Sequence, residues 1–93
     1  MKSGVVLRGY IDIPALSWDA VLAELSNHVQ LTLAEDGCQC FEVDPDRNVP
    51  HRLTVYEEFR SAASFEAHQR RVKASRWGRL TEGAERHYEI TTL

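Results

Sequence analysis

The chain has 93 residues, 43% hydrophobic and 27% charged, with 11 basic against 14 acidic side chains and a formal net charge of −3. That suffices for one small globular domain spanning residues 1–93, and the apolar content excludes wholesale disorder. No stretch approaches the roughly 20 apolar residues of a membrane span, and the mild acidity argues against nucleic acid, whose phosphates need clustered positive charge.

Met1-Lys2-Ser3-Gly4 leads into a strand-like run rather than a long apolar leader with a cleavage site, so a cytoplasmic protein is expected. Val5 to Ile13 is rich in β-branched residues and reads as a strand, ended by Pro14, which removes a ladder donor. A helix is expected from about Ser17, which can cap it. Trp18, Val21, Leu22, Leu25, Val29, Thr32 and Leu33 then recur at three- and four-residue steps along one face. Gly37 suits the left-handed residue beyond its last turn. Cys38 to Val43 alternates as a second strand, and Asp44 to Pro50 is loop chemistry.

His51 to Arg60 forms the third strand, with Leu53, Val55, Glu57 and Phe59 on one face and Thr54, Tyr56, Glu58 and Arg60 on the other. Ser61 opens a second helical region. Phe65, His68 and Val72 fall on its inner side, Trp77 and Leu80 lie further along, and Gly78 and Gly83 suggest a break and an end. Arg86 to Thr92 is the fourth strand. The basic cluster Arg70, Arg71, Lys73, Arg76 and Arg79 is offset by Glu66, Glu82 and Glu85 and reads as a solvated helix face.

Cys38 and Cys40 flank one residue with no second cysteine pair, and the histidines lie at unrelated spacings, so no metal site is expected. On a regular strand the two thiols share a face, which predicts buried, reduced cysteines.

The order β-α-β-β-α-β predicts an α+β, ferredoxin-like fold with a four-stranded antiparallel sheet. Each helix is expected to be a right-handed crossover between parallel neighbours. Both helices would cover one sheet face. The other would be open and partly apolar, and two-fold pairing of sheets would hide it, giving a homodimer.

The residues also carry a resemblance. Glu35-Asp36-Gly37-Cys38 running into Phe41-Glu42-Val43, Asp44-Pro45-Asp46 before Val55-Tyr56-Glu57-Glu58-Phe59, and Phe65-Glu66-Ala67-His68 together resemble the antibiotic biosynthesis monooxygenase family, over roughly Val5 to Ile90. The resemblance implies a dimeric α+β barrel with a small-molecule pocket between helices and sheet. It also implies oxidation of a small aromatic or quinol-type substrate by molecular oxygen, with no metal or other cofactor. Haem-degrading relatives use an Asn on the first strand and a Trp on the third. This first strand has no Asn and the third carries Phe59, so haem degradation is not expected.

His68 is the catalytic candidate. An inward imidazole near its ordinary value of about 6.5 can take a phenol proton at neutral pH. Phe59 and Trp77 are the expected pocket wall for an aromatic substrate, with Phe65 beside them. Glu57 is costly to bury unless paired, so it either fixes Arg8 or Arg86, orients a histidine, or holds the polar end of the substrate. Arg8 could instead hold a substrate anion. His28, His51 and His87 are expected at the surface or at sheet edges. Two rival functions share the fold: a dimeric small-molecule-binding module without chemistry, and an isomerase or signal-degrading enzyme that uses the same base without oxygen. A filled space around His68, with no cavity of about 300 Å³, would favour the binding module.

Overall fold

A computed structural model describes residues 4–93. Its elements are β1 (Val5–Asp12), a 3-10 turn (Ala15–Ser17), α1 (Trp18–Leu33), β2 (Cys38–Pro45), β3 (Arg52–Phe59), α2 (Ala62–Lys73), α3 (Arg76–Leu80) and β4 (Glu85–Thr92). The four strands make one sheet in the order β2-β3-β1-β4. Every adjacent pair is antiparallel. This is the ferredoxin-like arrangement, with one correction to the crossovers: the parallel strands each helix joins are not neighbours. The third strand inserts between β1 and β2, and β1 inserts between β3 and β4, so every ladder is antiparallel.

Strand phase sorts the two faces. Leu7, Ile11, Leu53, Val55, Phe59, Phe41 and Val43 point toward the helices and are all buried. Val21 of α1 and Trp77 of α3 complete that core from above, with Trp18, Leu25, Val29, Phe65 and Val72 packed against it. Two residues of the expected α1 stripe lie off the core: Leu22 is 37% and Leu33 51% exposed. The inward row instead runs Val21, His28, Thr32, the three buried residues of the helix. The Ser17 side chain makes no capping bond, because the 3-10 turn feeds the chain directly into α1.

The second helical region breaks at Ala74 and Ser75. Ser61 caps α2 by accepting from the Ser64 amide at 3.1 Å, and Ser75 repeats the device for α3 on the Gly78 amide at 3.1 Å. Gly78 is thus inside α3, and what it allows is close approach: a Cβ there would lie 2.2 Å from the Val72 carbonyl oxygen. Gly37 has the expected positive φ, 90°.

A bulge between Cys38 and Cys40 overturns the shared-face reading of the thiols. Cys38 pairs with inward Phe59, whereas Cys40 pairs with outward Glu58. Both are free and half-buried. The outer face carries Val6, Arg8, Tyr10, Cys40, Glu42, Tyr56, Glu58 and Glu89, more polar than the partly apolar surface expected. Among the described residues no helix is long and apolar enough to cross a membrane.

Candidate active site

Between the helices and the sheet lies a cavity of about 160 Å³. Its sheet wall is Leu7, Ile11, Phe41, Val43, Val55, Glu57 and Tyr88. Its helix wall is His28, His68, Val72 and Trp77, with exposed Gln69 and Arg86 at the rim. A shallow groove beside Lys73, Gly78 and Glu82 shares Gln69, Val72 and Arg86 with the cavity and leads to solvent.

His68 is 4% exposed and held from both sides. Its Nδ1 lies 2.8 Å from Glu35 Oε1, while Arg71 Nε donates to the other Glu35 oxygen and Arg71 also donates to Thr32 Oγ1 at 2.9 Å. A carboxylate engaged by a guanidinium accepts, so Nδ1 carries the proton and Nε2 keeps its lone pair. That Nε2 sits 3.8 Å from Glu57 Oε1, too far for a hydrogen bond. Burial pushes the His68 imidazole below its ordinary value, against Glu35, whose charge and hydrogen bond favour the cation.

Glu57 is the most unusual residue of the site. Its cross-strand neighbours are Leu7 on β1 and Phe41 on β2, so apolar side chains flank it on both sides within the sheet. Oε1 is buried without a hydrogen-bond partner. Burial, reinforced by the charge of Glu35, raises its pKa to about 7. Near neutrality Glu57 is therefore a donor as readily as an acceptor.

His28 corrects the sequence expectation. It is 3% exposed, not a surface residue, and its ring stacks flat on Trp77 with centroids 4.3 Å apart and planes 2° from parallel. Its Nδ1 is the second buried polar atom without a partner. Burial, then electrostatic repulsion of an imidazolium by the neighbouring His68, Arg71 and Arg86 side chains, lowers its pKa to about 3, so the ring is neutral. The helical phase of Val21, Leu25 and Thr32 was the signal that marked position 28 as inward.

The other expected residues divide. Trp77 lines the cavity, as expected. Phe59 and Phe65 lie outside the lining: Phe59 backs the His68 ring at 4.8 Å between centroids, and Phe65 packs edge-on against Phe59 at 5.7 Å. They fix the imidazole rather than wall the cavity, because Phe59 lies one inward position beyond Glu57 on β3. Arg8 lies on the opposite sheet face, its guanidinium 5.5 Å from the Tyr56 ring centroid, and is not a pocket residue. Strand alternation between Leu7 and Gly9 turns it outward. Arg86 does not pair with Glu57; it donates to Thr81 O at 3.1 Å and Thr81 Oγ1 at 2.7 Å. Tyr88 was not expected at the site. Burial raises its phenol to about 12, which keeps it a donor. His51 and His87 are exposed, as expected.

Away from the cavity, ligand atoms of Asp12, Glu85 and His87 lie within 4.8 Å of one another. Arg52 occupies both Asp12 oxygens, at 2.7 and 3.0 Å, and covers the Tyr10 ring at 3.6 Å. The cluster is thereby part of an ion-pair network at the end of the sheet.

The fold recurs among solved structures. A Pseudomonas aeruginosa protein is 27% identical, with 100% of this chain and 94% of that one covered, at a TM-score of 0.78. A Bacteroides thetaiotaomicron protein of unknown function, a possible oxidoreductase, is 14% identical with both chains fully covered and a TM-score of 0.76. A candidate antibiotic biosynthesis monooxygenase from Nitrosomonas europaea is 13% identical, covering 100% of this chain and 90% of that one, at a TM-score of 0.72. No curated protein matches the chain. The family model for antibiotic biosynthesis monooxygenase matches residues 5–79, from the start of β1 to the next-to-last residue of α3, and takes in His28, Glu57, His68 and Trp77. By that match the chain belongs to the antibiotic biosynthesis monooxygenase family.

Proposed function

We propose that the protein is a monooxygenase that oxidises a small phenolic or quinol-type substrate with molecular oxygen as co-substrate and no bound cofactor. The observation that carries this reading is His68 Nε2 placed 3.8 Å from Glu57 Oε1 at a cavity that both residues line together with Phe41, Trp77 and Tyr88. A phenolic hydroxyl bound beside them would donate to Nε2 and accept from the protonated Glu57 carboxyl group. His68 then takes the proton while Glu57 stabilises the charge growing on oxygen, as a buried neutral carboxyl group can. The electron-rich phenolate reduces oxygen directly. One oxygen atom enters the ring, the other leaves as water with two hydrogens from the substrate, and the phenol becomes a quinone.

The cavity size bears on the rival. At about 160 Å³ it falls below the 300 Å³ that would accommodate a drug-sized guest. That counts toward a binding module without chemistry, and under either function it confines the guest to about one ring, since a dry cavity of roughly 150 Å³ holds benzene. Oxygen uptake separates the readings. Turnover of a hydroquinone panel should require air and should fall by about 10²-fold or more in His68→Ala. Equal aerobic rates in the two proteins would remove the histidine from the reaction. Anaerobic turnover would point to the isomerase-type rival, and binding without turnover to the module.

We also propose a homodimer formed through the open sheet face. The helices leave that face uncovered and leave β4 largely exposed.

A further inference from the structure

His68 stands between two recesses. One is the inner cavity, which Glu57 lines and Glu35 does not. The other is an open groove of about 490 Å³ on the far side of the ring, bordered by Glu35, Asp36, Arg60 and Arg71 and not by Glu57. Among the described residues His68 is the one member common to both linings. Its ring nitrogens divide accordingly, with Nε2 on the Glu57 side and Nδ1 on the Glu35 side. Glu35 is itself held in place. Arg71 Nε donates to its second oxygen, and another Arg71 nitrogen donates to Thr32 Oγ1 at 2.9 Å. Thr32 is fully buried and gives its own proton to the His28 carbonyl at 2.8 Å. The Glu35 amide donates to the Thr32 carbonyl at 3.0 Å. Arg71 follows His68 by three positions on α2, so one helix face presents imidazole and guanidinium together to Glu35.

We propose that Glu35 is the positioning residue of the candidate site: from the outer groove it fixes His68 with a proton on Nδ1 and the Nε2 lone pair toward the cavity, and its charge supports the imidazolium once Nε2 takes a second proton. This deepens the reading above and rests on it for the role of His68 as base. The other tautomer would set the Nδ1 lone pair 2.8 Å from a carboxylate oxygen, two acceptors with no proton between them. Arg71 occupies the second oxygen, a charge-assisted pairing made with a carboxylate rather than a carboxylic acid. The charged and titratable groups around the ring come from every packed element. Burial disfavours the imidazolium most, Glu35 favours it through both charge and hydrogen bond, and Arg71 on α2 disfavours it. Glu57 on β3 approaches Nε2 without bonding to it, and neutral His28 on α1 lies 6.4 Å away between centroids. Glu35 is thus the group whose direct hydrogen bond favours the charged ring. An ion pair that merely tied α1 to α2 would affect stability and leave the tautomer and titration of His68 alone.

The test reads the ring itself, with no substrate present. Proton–nitrogen correlation spectra of histidine-labelled protein show which ring nitrogen is protonated and at what pH the second proton arrives, and His68→Gln assigns the signal. In wild type the Nδ1–H form of neutral His68 should exceed the other by at least about 10-fold. Glu35→Gln keeps the size and an acceptor oxygen but removes the charge. In that variant the protonation constant of His68 should fall by at least about 3-fold, while those of exposed His51 and His87 stay within about 1.5-fold. In a hydroquinone assay under air the same variant should lose about 10-fold or more in kcat, with KM within about 3-fold. A wild-type ring protonated on Nε2 overturns the proposal without recourse to any variant. A protonation constant that Glu35→Gln leaves unchanged, or a variant kcat equal to that of wild type, overturns it as well. Failure of the oxygenase reading looks different: the tautomer and the titration of His68 behave as expected, and neither protein consumes oxygen.

Discussion

Glu57 and His28 face one cavity, and their titrations pull stability in opposite directions. His28 has a folded value of about 3 against 6.5 for a free imidazole, so between those values the unfolded chain takes up a proton that the folded chain refuses. Its contribution is complete above about pH 6.5 and is lost as pH falls. Glu57 has a folded value of about 7 against 4.5, so the folded chain keeps a proton the unfolded chain has released. Its contribution is complete below about pH 4.5 and is lost as pH rises toward 7. From about pH 5 to 6.5 the two slopes oppose, and His68, lowered in the same sense as His28, leaves wild type only a shallow rise with pH. Replacing Glu57 with Gln removes the opposing slope. The variant should gain roughly 1.4 kcal/mol of stability per pH unit relative to wild type, about 2 kcal/mol over that window. Urea denaturation at three pH values reads this directly, and parallel profiles for the two proteins would contradict the assignment. His68 and Trp77 were legible as inward residues from helix phase and strand order. His28 was not, because a histidine between Asn27 and Gln30 reads as polar until its phase is compared with that of Val21 and Thr32.

The elements themselves were largely written in the local sequence, since periodicity, Pro14 and Ser61 each have one reading, but Asp44 and Pro45, which read as loop, continue β2 by pairing with Thr54 and Leu53. What escaped were features set by contacts between elements. The Cys38–Cys40 bulge appears only when β2 is laid against β3, and it decides that Cys38 joins the core while Cys40 faces out. The break before α3 depends on Ser75 folding back to cap and on Gly78 lying under the Val72 carbonyl. Gly9 is the counterpart in the sheet. Its φ is +153°, and a Cβ there would fall 2.0 Å from the His87 carbonyl oxygen on β4, a backbone atom that cannot swing away. A side chain must therefore part β1 from β4 or strain the backbone, and either costs about 2–4 kcal/mol. Gly9→Ala should lower the melting temperature by about 8 °C or more for a chain of this size. A change below about 2 °C would mean the two strands are not held in the stated register.

At the scale of the whole molecule, the helices and the strands are unevenly matched. The outer sides of β1, β2 and β3 have no covering layer, and β4 is exposed on both faces apart from half-buried Tyr88, with Ile90 53% accessible. A chain of 93 residues gains little burial alone, so pairing two copies is the economical remedy for a bare sheet. The open face is not greasy. Tyr56 lies at its centre, beneath the Arg8 guanidinium and hydrogen-bonded to Glu58, with Glu42 opposite on β2. Such a face favours an interface of aromatic anchors and charge-assisted bonds, in which two-fold symmetry presents each Arg8 and each acidic residue twice. A further carboxylate at the centre would tip that balance, because symmetry doubles the repulsion and desolvation of unpaired charge is expensive. Sedimentation velocity at tens of micromolar should give about twice the chain mass for wild type, and its melting temperature should rise with protein concentration. Tyr56→Glu should weaken association by about 10-fold or more and flatten that concentration dependence. Hydroquinone binding offers an internal control, since the cavity lies on the other side of the sheet: a dissociated variant that still binds confirms that the fold is intact. Wild type that sediments as a monomer across the same range would leave the sheet face without its proposed partner.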